Sequence, residues 1–455
     1  MDGPAGGGIP VRSESDLLGT IEVPRDALYG AQTQRAIENF PLLGQRSIGN
    51  YPTLIQALLT IKKAAAIVNG EIGCLEAPIA GVIQAAADRV LAEERFDQFP
   101  VHFLHGGGGT SANMNANEVL ANQAEVLLGG RCGEYRRVHP NEHVNLNQST
   151  NDVYPTACHM AILWAYPPLR SVLEALRDVL LAKGREFQHT QHLARTCYQD
   201  AVDITFGDFF GGYAAFVNRS LSRLNLAVAA LHSVNLGGTI VGRAGDVPAE
   251  YSRRIIPLLR RVTGDEAFHQ PESLFDAAQN ADEMVNVSSQ LDLLARGLLK
   301  IAQDLRVLSS GPEAGLGELL LPAVQPGSSI MPGKVNPVIP EFMIQVAFKV
   351  MGNHSTCSLG LNHGELDLNV WESSMVFSIL DSMELLGSGI DALTRRCLAG
   401  IRVDNRINAG HADSIIPRLT RLMHRFGYQR VNDVCKKAGG DLPVLKKLLD
   451  QTFGK

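Results

Sequence analysis

The run PGSSIMPGKVNP at 326–337 places two hydroxyls, Ser328 and Ser329, among glycines and prolines, with Lys334 and Asn336 close behind. Pro326, Pro332 and Pro337 lack an amide hydrogen and clash with a preceding helical turn, so the run is a loop between apolar segments that read as helices. A serine hydroxyl is a weak base unless its surroundings favour the alkoxide, and a nearby ammonium with aimed amides would do that. The glycines permit close backbone approach to a ligand. No G-x-S-x-G elbow occurs, which argues against a hydrolase triad. A disordered linker is the competing account. It is disfavoured because a short connection between core helices is rarely so biased in composition.

Three other stretches are dense in polar side chains. HGGGGTSANMNANEVLANQA at 105–124 runs from glycines through Thr110 into a helix. The glycines resemble a phosphate loop, but no lysine follows, and a flexible turn with a threonine cap fits the segment alone. In VHPNEHVNLNQSTNDVYPTA at 138–157, HPNEH formally matches the H-x-x-E-H zinc pattern. Pro140 confines His139 to extended backbone, however, so the two histidines are not expected to share a helical face. QSTND offers adjacent neutral hydrogen-bonding side chains that suit a carboxylate or amine better than a metal, with an Asx-rich helix cap as the alternative. The third stretch, ARTCYQDAVDITFGD at 194–208, sets Thr196 and Cys197 ahead of an amphipathic helix, with no local base to make Cys197 a nucleophile.

The elements that must position these groups read as mainly helical. Val287, Leu291, Leu294, Leu298, Ile301, Leu305 and Leu308 form a heptad seam within 281–309. Leu169, Leu173, Leu176 and Leu180 repeat the pattern, as do Leu221, Leu224, Val228 and Leu231. Segments 341–352 and 370–393 are apolar on more than one face, which calls for burial on several sides and hence for other subunits. Strand signals are few. The chain divides into a mixed, loop-rich part to about 145, a long helical bundle over about 146–402, and a small helical cap from about 403 to 455.

Composition narrows the function. A net charge of −6 with no long basic run gives no footprint for nucleic acid. The longest apolar runs are too short for a membrane span. MDGPAGGGIP lacks the pattern of a signal peptide and reads as a loose tail. Seven cysteines, never spaced C-x-x-C, point to free thiols in a reducing compartment, the cytoplasm by default.

Together these residues resemble the fumarase/aspartase superfamily. PGSSIMPGKVNP is similar to its signature, a Gly-Ser followed by Met, Lys and Asn-Pro. The resemblance runs from DLLGTIEVPRDALYGAQTQRAIENF, which starts at Asp16, to LGLNHGELDLNVWE at 359–372. QSTNDVYPT, LSSGPEAGLGELLLP and NPVIPE resemble the aspartate ammonia-lyases more than the fumarases. It implies a homotetramer whose long helices form a central bundle, with each active site assembled from three subunits around a small dicarboxylate. The implied reaction is reversible removal of ammonia from L-aspartate to give fumarate. A proton leaves the carbon beside the distal carboxylate, and the charge spreads into that carboxylate as an aci-carboxylate dianion, so fixed donors must gather there.

By motif position the resemblance makes Ser328 the general base on a mobile loop. Thr110, Ser149, Thr150 and Ser329 would hold the distal carboxylate. Thr196, Lys334 and Asn336 would hold the proximal one, and Asn151 with Thr110 would face the amine. His139, Asn141 and Glu142 resemble the family's second, non-catalytic anion site. The chemistry needs no metal or organic cofactor. Two departures stand out: Cys197 occupies the position where fumarases carry histidine, although that histidine's usual carboxylate partner is present as Glu341. The family's GTGLN-like segment reads GRAGD at 242–246, so that Arg243 either pairs with Asp246 or binds an extra anionic group. A substituted aspartate or succinate, fumarate hydration, and a non-enzymatic structural role are the alternatives.

Overall fold

Apolar periodicity becomes helix along most of the chain. The computed structural model describes residues 10–243 and 245–454, so residues 1–9 of the expected tail lie outside it. It opens with a hairpin, β1 (Val11–Asp16) and β2 (Gly19–Pro24), followed by helices α1 (Ala31–Asn39), α2 (Pro52–Glu71), α3 (Ala77–Ala92) and α4 (Thr110–Leu127). Next come α5 (Thr150–Glu186), the hairpin β3 (Gln191–Thr196) and β4 (Gln199–Thr205), then α6 (Phe206–Ala230), α7 (Ala249–Thr263), α8 (Leu274–Gln279) and α9 (Asp282–Leu308). The rest is β5 (Leu319–Leu320), α10 (Val338–Asn362), α11 (Glu372–Ala392), β6 (Arg402–Val403), α12 (Asn405–Ala412), α13 (Ile415–Phe426), α14 (Tyr428–Ala438) and α15 (Leu442–Phe453). The strands form three two-stranded antiparallel sheets among the described residues. The expected mainly helical class holds, and the heptad leucines of α9 are buried as their spacing required. Each such leucine contributes roughly 1.5–3 kcal/mol by leaving water. No described helix is long and apolar enough to cross a membrane.

Two compact units account for the chain. The first comprises Met1–Leu169, Arg223–Asp292 and Lys349–Glu384; the second comprises Arg170–Ser222, Leu293–Phe348 and Leu385–Lys455. In the first, α4 is buried over Ala112–Glu125, polar residues included. Its Glu118 takes up the open amides at the start of α1, accepting from Gly30, Gln32 and Thr33 at 2.9, 2.8 and 3.1 Å. In the second, α13, α14 and α15 close a small core around Ile415, Val434, Leu445 and Leu449.

The glycine run has a steric reason at one position. Gly109 caps α4 with φ +85°, and a Cβ there would sit 2.3 Å from Cδ1 of the buried Tyr154. Gly109→Ala is therefore expected to cost roughly 2–4 kcal/mol through left-handed strain and overpacking. A fall in the urea midpoint measures this, and an unchanged midpoint would mean that the 105–109 turn relocates freely.

Candidate active site

The loop at 326–337 is held by its own backbone. The Gly327 amide donates to the Lys334 carbonyl at 2.8 Å, Lys334 N to Met331 O at 3.3 Å, and the Asn336 side-chain amide to Gly327 O at 2.8 Å. A Cβ on Gly327 would lie 2.7 Å from Asn336 N, so this neck requires glycine. Inside the loop, Ser328 Oγ accepts amides from Ile330 at 3.2 Å and Met331 at 3.0 Å. Two N–H dipoles on one hydroxyl oxygen stabilise negative charge there, which a base serine needs. Ser328 and Asn336 are half-buried, while Ser329 and Lys334 are exposed. Glu341, in the first turn of α10, pairs with Arg306 at 3.4 Å.

Thr196 and Cys197 sit at the exposed end of the β3–β4 hairpin, which intervenes before α6. The turn residues Cys197 and Tyr198 have φ of 53° and 60°. Two left-handed residues suit the right-handed twist of a two-residue hairpin, although neither is the glycine or asparagine that usually accepts such angles. Ser328, Ser329, Lys334, Asn336, Glu341, Thr196 and Cys197 all belong to the second unit.

The remaining candidates belong to the first unit. Thr110 opens α4 and is exposed; Ser149, Thr150 and Asn151 open α5. Ser149 caps α5 by accepting the Asn151 amide at 3.2 Å, and Asp152 returns a bond to Ser149 N at 2.9 Å. Asp152 also accepts the Gly237 and Thr239 amides at 2.9 and 3.1 Å, locking the 237–239 turn to the start of α5. Thr150 Oγ1 accepts from Asn113 at 2.9 Å, which leaves its own proton for a ligand. Asn151 donates to Ile240 O at 2.9 Å. Hydroxyl donors such as those of Thr110 and Thr150, placed at helix starts, favour an anion.

Beneath this group lies a network that sequence patterns did not flag. Asn145 Oδ1 accepts from Lys62 Nζ at 2.9 Å, Asn113 at 3.2 Å and Asn117 at 3.1 Å. Lys62 is fully buried on α2, and burial pulls its pKa down to about 7, against the opposing pull of Asp152. Its signal was a cation on the buried face of an apolar helix, hidden by the adjacent Lys63.

His139 has the extended backbone that Pro140 imposes, φ −104° and ψ 137°. Its Nδ1 accepts amides from Asn141 and Glu142 at 3.2 and 3.3 Å, while His143 Nδ1 accepts from His139 N at 2.8 Å. Both Nδ1 atoms are thus engaged as acceptors, away from a shared metal. Burial lowers the His139 pKa. Asn141 and Glu142 are exposed beside it. Of the two roles open to Arg243, the ion pair is the one present: its guanidinium meets Asp246 at 2.5 Å.

The long helices are those of a lyase of the fumarase/aspartase type, as the comparisons with known proteins show. Residues 19–352 match the family model described as Lyase, and the chain belongs to that family of enzymes. It is 40% identical to an aspartate ammonia-lyase from Bacillus sp. over 94% of this chain and 91% of that one. It is 41% identical to a class II fumarate hydratase from Nitrosomonas europaea over 96% and 94%. Among solved structures, the Brucella melitensis "fumarate lyase:delta crystallin" bound to cobalt superposes with TM-score 0.90 at 41% identity, covering 97% of this chain and 98% of that one.

Proposed function

We propose that the protein is a carbon–nitrogen lyase that removes ammonia from L-aspartate to give fumarate, with Ser328 as the base. The observation that carries this reading is the pair of amides on Ser328 Oγ, within a loop whose neck closes without using that hydroxyl. Two backbone dipoles, with Lys334 on the same loop, lower the cost of the alkoxide that takes the proton beside the distal carboxylate. Thr110, Ser149, Thr150 and Ser329 receive the growing charge on that carboxylate; Thr196, Lys334 and Asn336 hold the other, and Asn151 with Thr110 faces the amine. His139, Asn141 and Glu142 form a separate anion site. These steps use side chains and backbone alone.

The working form is a cytoplasmic homotetramer whose sites draw on three subunits. Exposed apolar side chains on the long helices support it: Leu293 on α9, and Phe348 and Leu359 on α10, are 47%, 57% and 60% exposed in the single chain. The division at about 145 and about 403 belongs to the same proposal, with the middle part supplying the intersubunit bundle.

Fumarate hydration is the second reading, favoured by the near-equal identity to the Nitrosomonas hydratase. Cys197 weighs against it. Adding water needs a group that orients and deprotonates it, as histidine with a carboxylate does, whereas a thiol is a weak hydrogen-bonding group. Here Glu341 is engaged with Arg306. Free amine is already a nucleophile and needs less help. Ultraviolet monitoring of enediacid formation from aspartate, malate and substituted succinates tests the reading. Aspartate should be consumed at least about 100-fold faster than malate, the scale of one general-base contribution. Malate turnover with no ammonia transfer would overturn the aspartate reading, and preference for a substituted succinate would redirect it.

A further inference from the structure

Glu318 lies just ahead of β5, in the stretch that leads to the Ser328 loop, and is fully buried. Arg195, the neighbour of Thr196 in β3, approaches its Oε1 at 2.5 Å. His411 of α12 places Nδ1 2.6 Å from the same oxygen, and His192 of β3 places Nδ1 3.2 Å from Oε2. The backbone joins in. Glu318 N donates to Leu308 O at 2.8 Å, and Glu318 O accepts from Asp404 N at 3.1 Å and the Asn408 side chain at 2.9 Å. His192 also stacks on Phe206 at 4.3 Å. Burial alone would raise the Glu318 pKa, but His192, Arg195 and His411 around the carboxylate outweigh it and hold the group down to about 2.

A carboxylate buried this completely depends on charged partners. Arg195 and His411 hydrogen-bond Oε1, while His192 faces Oε2 at contact distance without a hydrogen bond. Here the partners come from the strand that presents Thr196 and Cys197 and from the first of the C-terminal helices. The Cys197–Tyr198 turn holds two left-handed non-glycine residues, a conformation that persists only where surrounding structure enforces it.

We propose that Glu318 is a positioning residue: through Arg195 and the packed His192 it fixes Thr196 and the Cys197–Tyr198 turn relative to the strand feeding the Ser328 loop, and through His411 it ties the C-terminal helices to the same anchor. The kinetic half of this inference rests on the ammonia-lyase reading; the structural half does not.

Glu318→Gln keeps the side chain's shape while removing its charge and replacing an acceptor oxygen with a donor amide. In the full-length assembled protein, hydrogen exchange over residues 191–205 should quicken by about tenfold or more, with exchange in α2 and α4 unchanged. KM for aspartate should rise by about tenfold, because a loosened Thr196 grips the proximal carboxylate less well. Glu318→Asp, which restores the charge, should recover part of both changes. A merely lower folded fraction would reduce kcat and leave KM alone. Unchanged exchange over 191–205 with unchanged KM would overturn the proposal. If Glu318→Gln does not fold, Arg195→Lys carries the same test, since it keeps the charge and loses the planar fork. Should the wild type leave aspartate untouched, the function reading falls while the exchange comparison still decides the role of Glu318.

Discussion

Ser328→Ala is expected to lower kcat on aspartate by about 10³–10⁴-fold, the upper range for loss of a positioned general base, while KM stays within a few-fold. Only the proton-abstraction step needs the hydroxyl. The contacts that close the neck of the loop run between Gly327, Met331, Lys334 and Asn336, and none of these uses the Ser328 side chain. The Ile330 and Met331 amides lose their acceptor, but both residues are exposed and water can replace it. The variant should therefore fold, assemble and bind substrate while the chemical step stalls. Steady-state kinetics with a direct binding measurement on the same preparation separate these effects. An alanine enzyme keeping a tenth or more of wild-type turnover would remove Ser328 from the role of base.

What could be read in the sequence divides along physical lines. Heptad leucines announced α9 because burial fixes their spacing, and the structure ends that helix at Leu308, the last residue of the seam. The serine loop was legible because prolines and glycines exclude regular structure whatever surrounds them. The Ser149–Asn151 segment was legible as a polar helix start. The features that stayed hidden depend on partners distant in sequence. Lys62 reads as one of two surface lysines until α2 is seen buried against Asn145. Glu318 reads as a loop carboxylate until Arg195, His192 and His411 converge on it. The β3–β4 turn was hidden for another reason, since Cys-Tyr is not a pair that signals left-handed backbone. Arg243 shows the intermediate case: the sequence offered an ion pair or an anion contact, and the structure shows the guanidinium paired with Asp246.

The second large effect concerns assembly. Ser149 belongs to the first unit and Ser328 to the second, and the proposed tetramer draws each site from three chains. If the two serines of one working site come from different chains, each parent variant alone has no intact site. Ser149→Ala loses a donor at the distal carboxylate and the cap of α5, so it too should be nearly silent, provided that it still folds. Mixing equal amounts of Ser149→Ala and Ser328→Ala protein and allowing subunits to exchange changes the count. A site then needs an unmutated Ser149 from one chain and an unmutated Ser328 from another, each supplied half the time. Random exchange in a symmetric oligomer should thus restore about a quarter of wild-type activity from two nearly inactive parents. Native mass spectrometry of mass-tagged parents establishes that exchange has occurred. Recovery near a quarter fixes the two serines on different chains. Exchanged mixtures that stay as silent as their parents would place Ser149 and Ser328 of one site on a single chain, and the composite arrangement would have to be redrawn around that constraint.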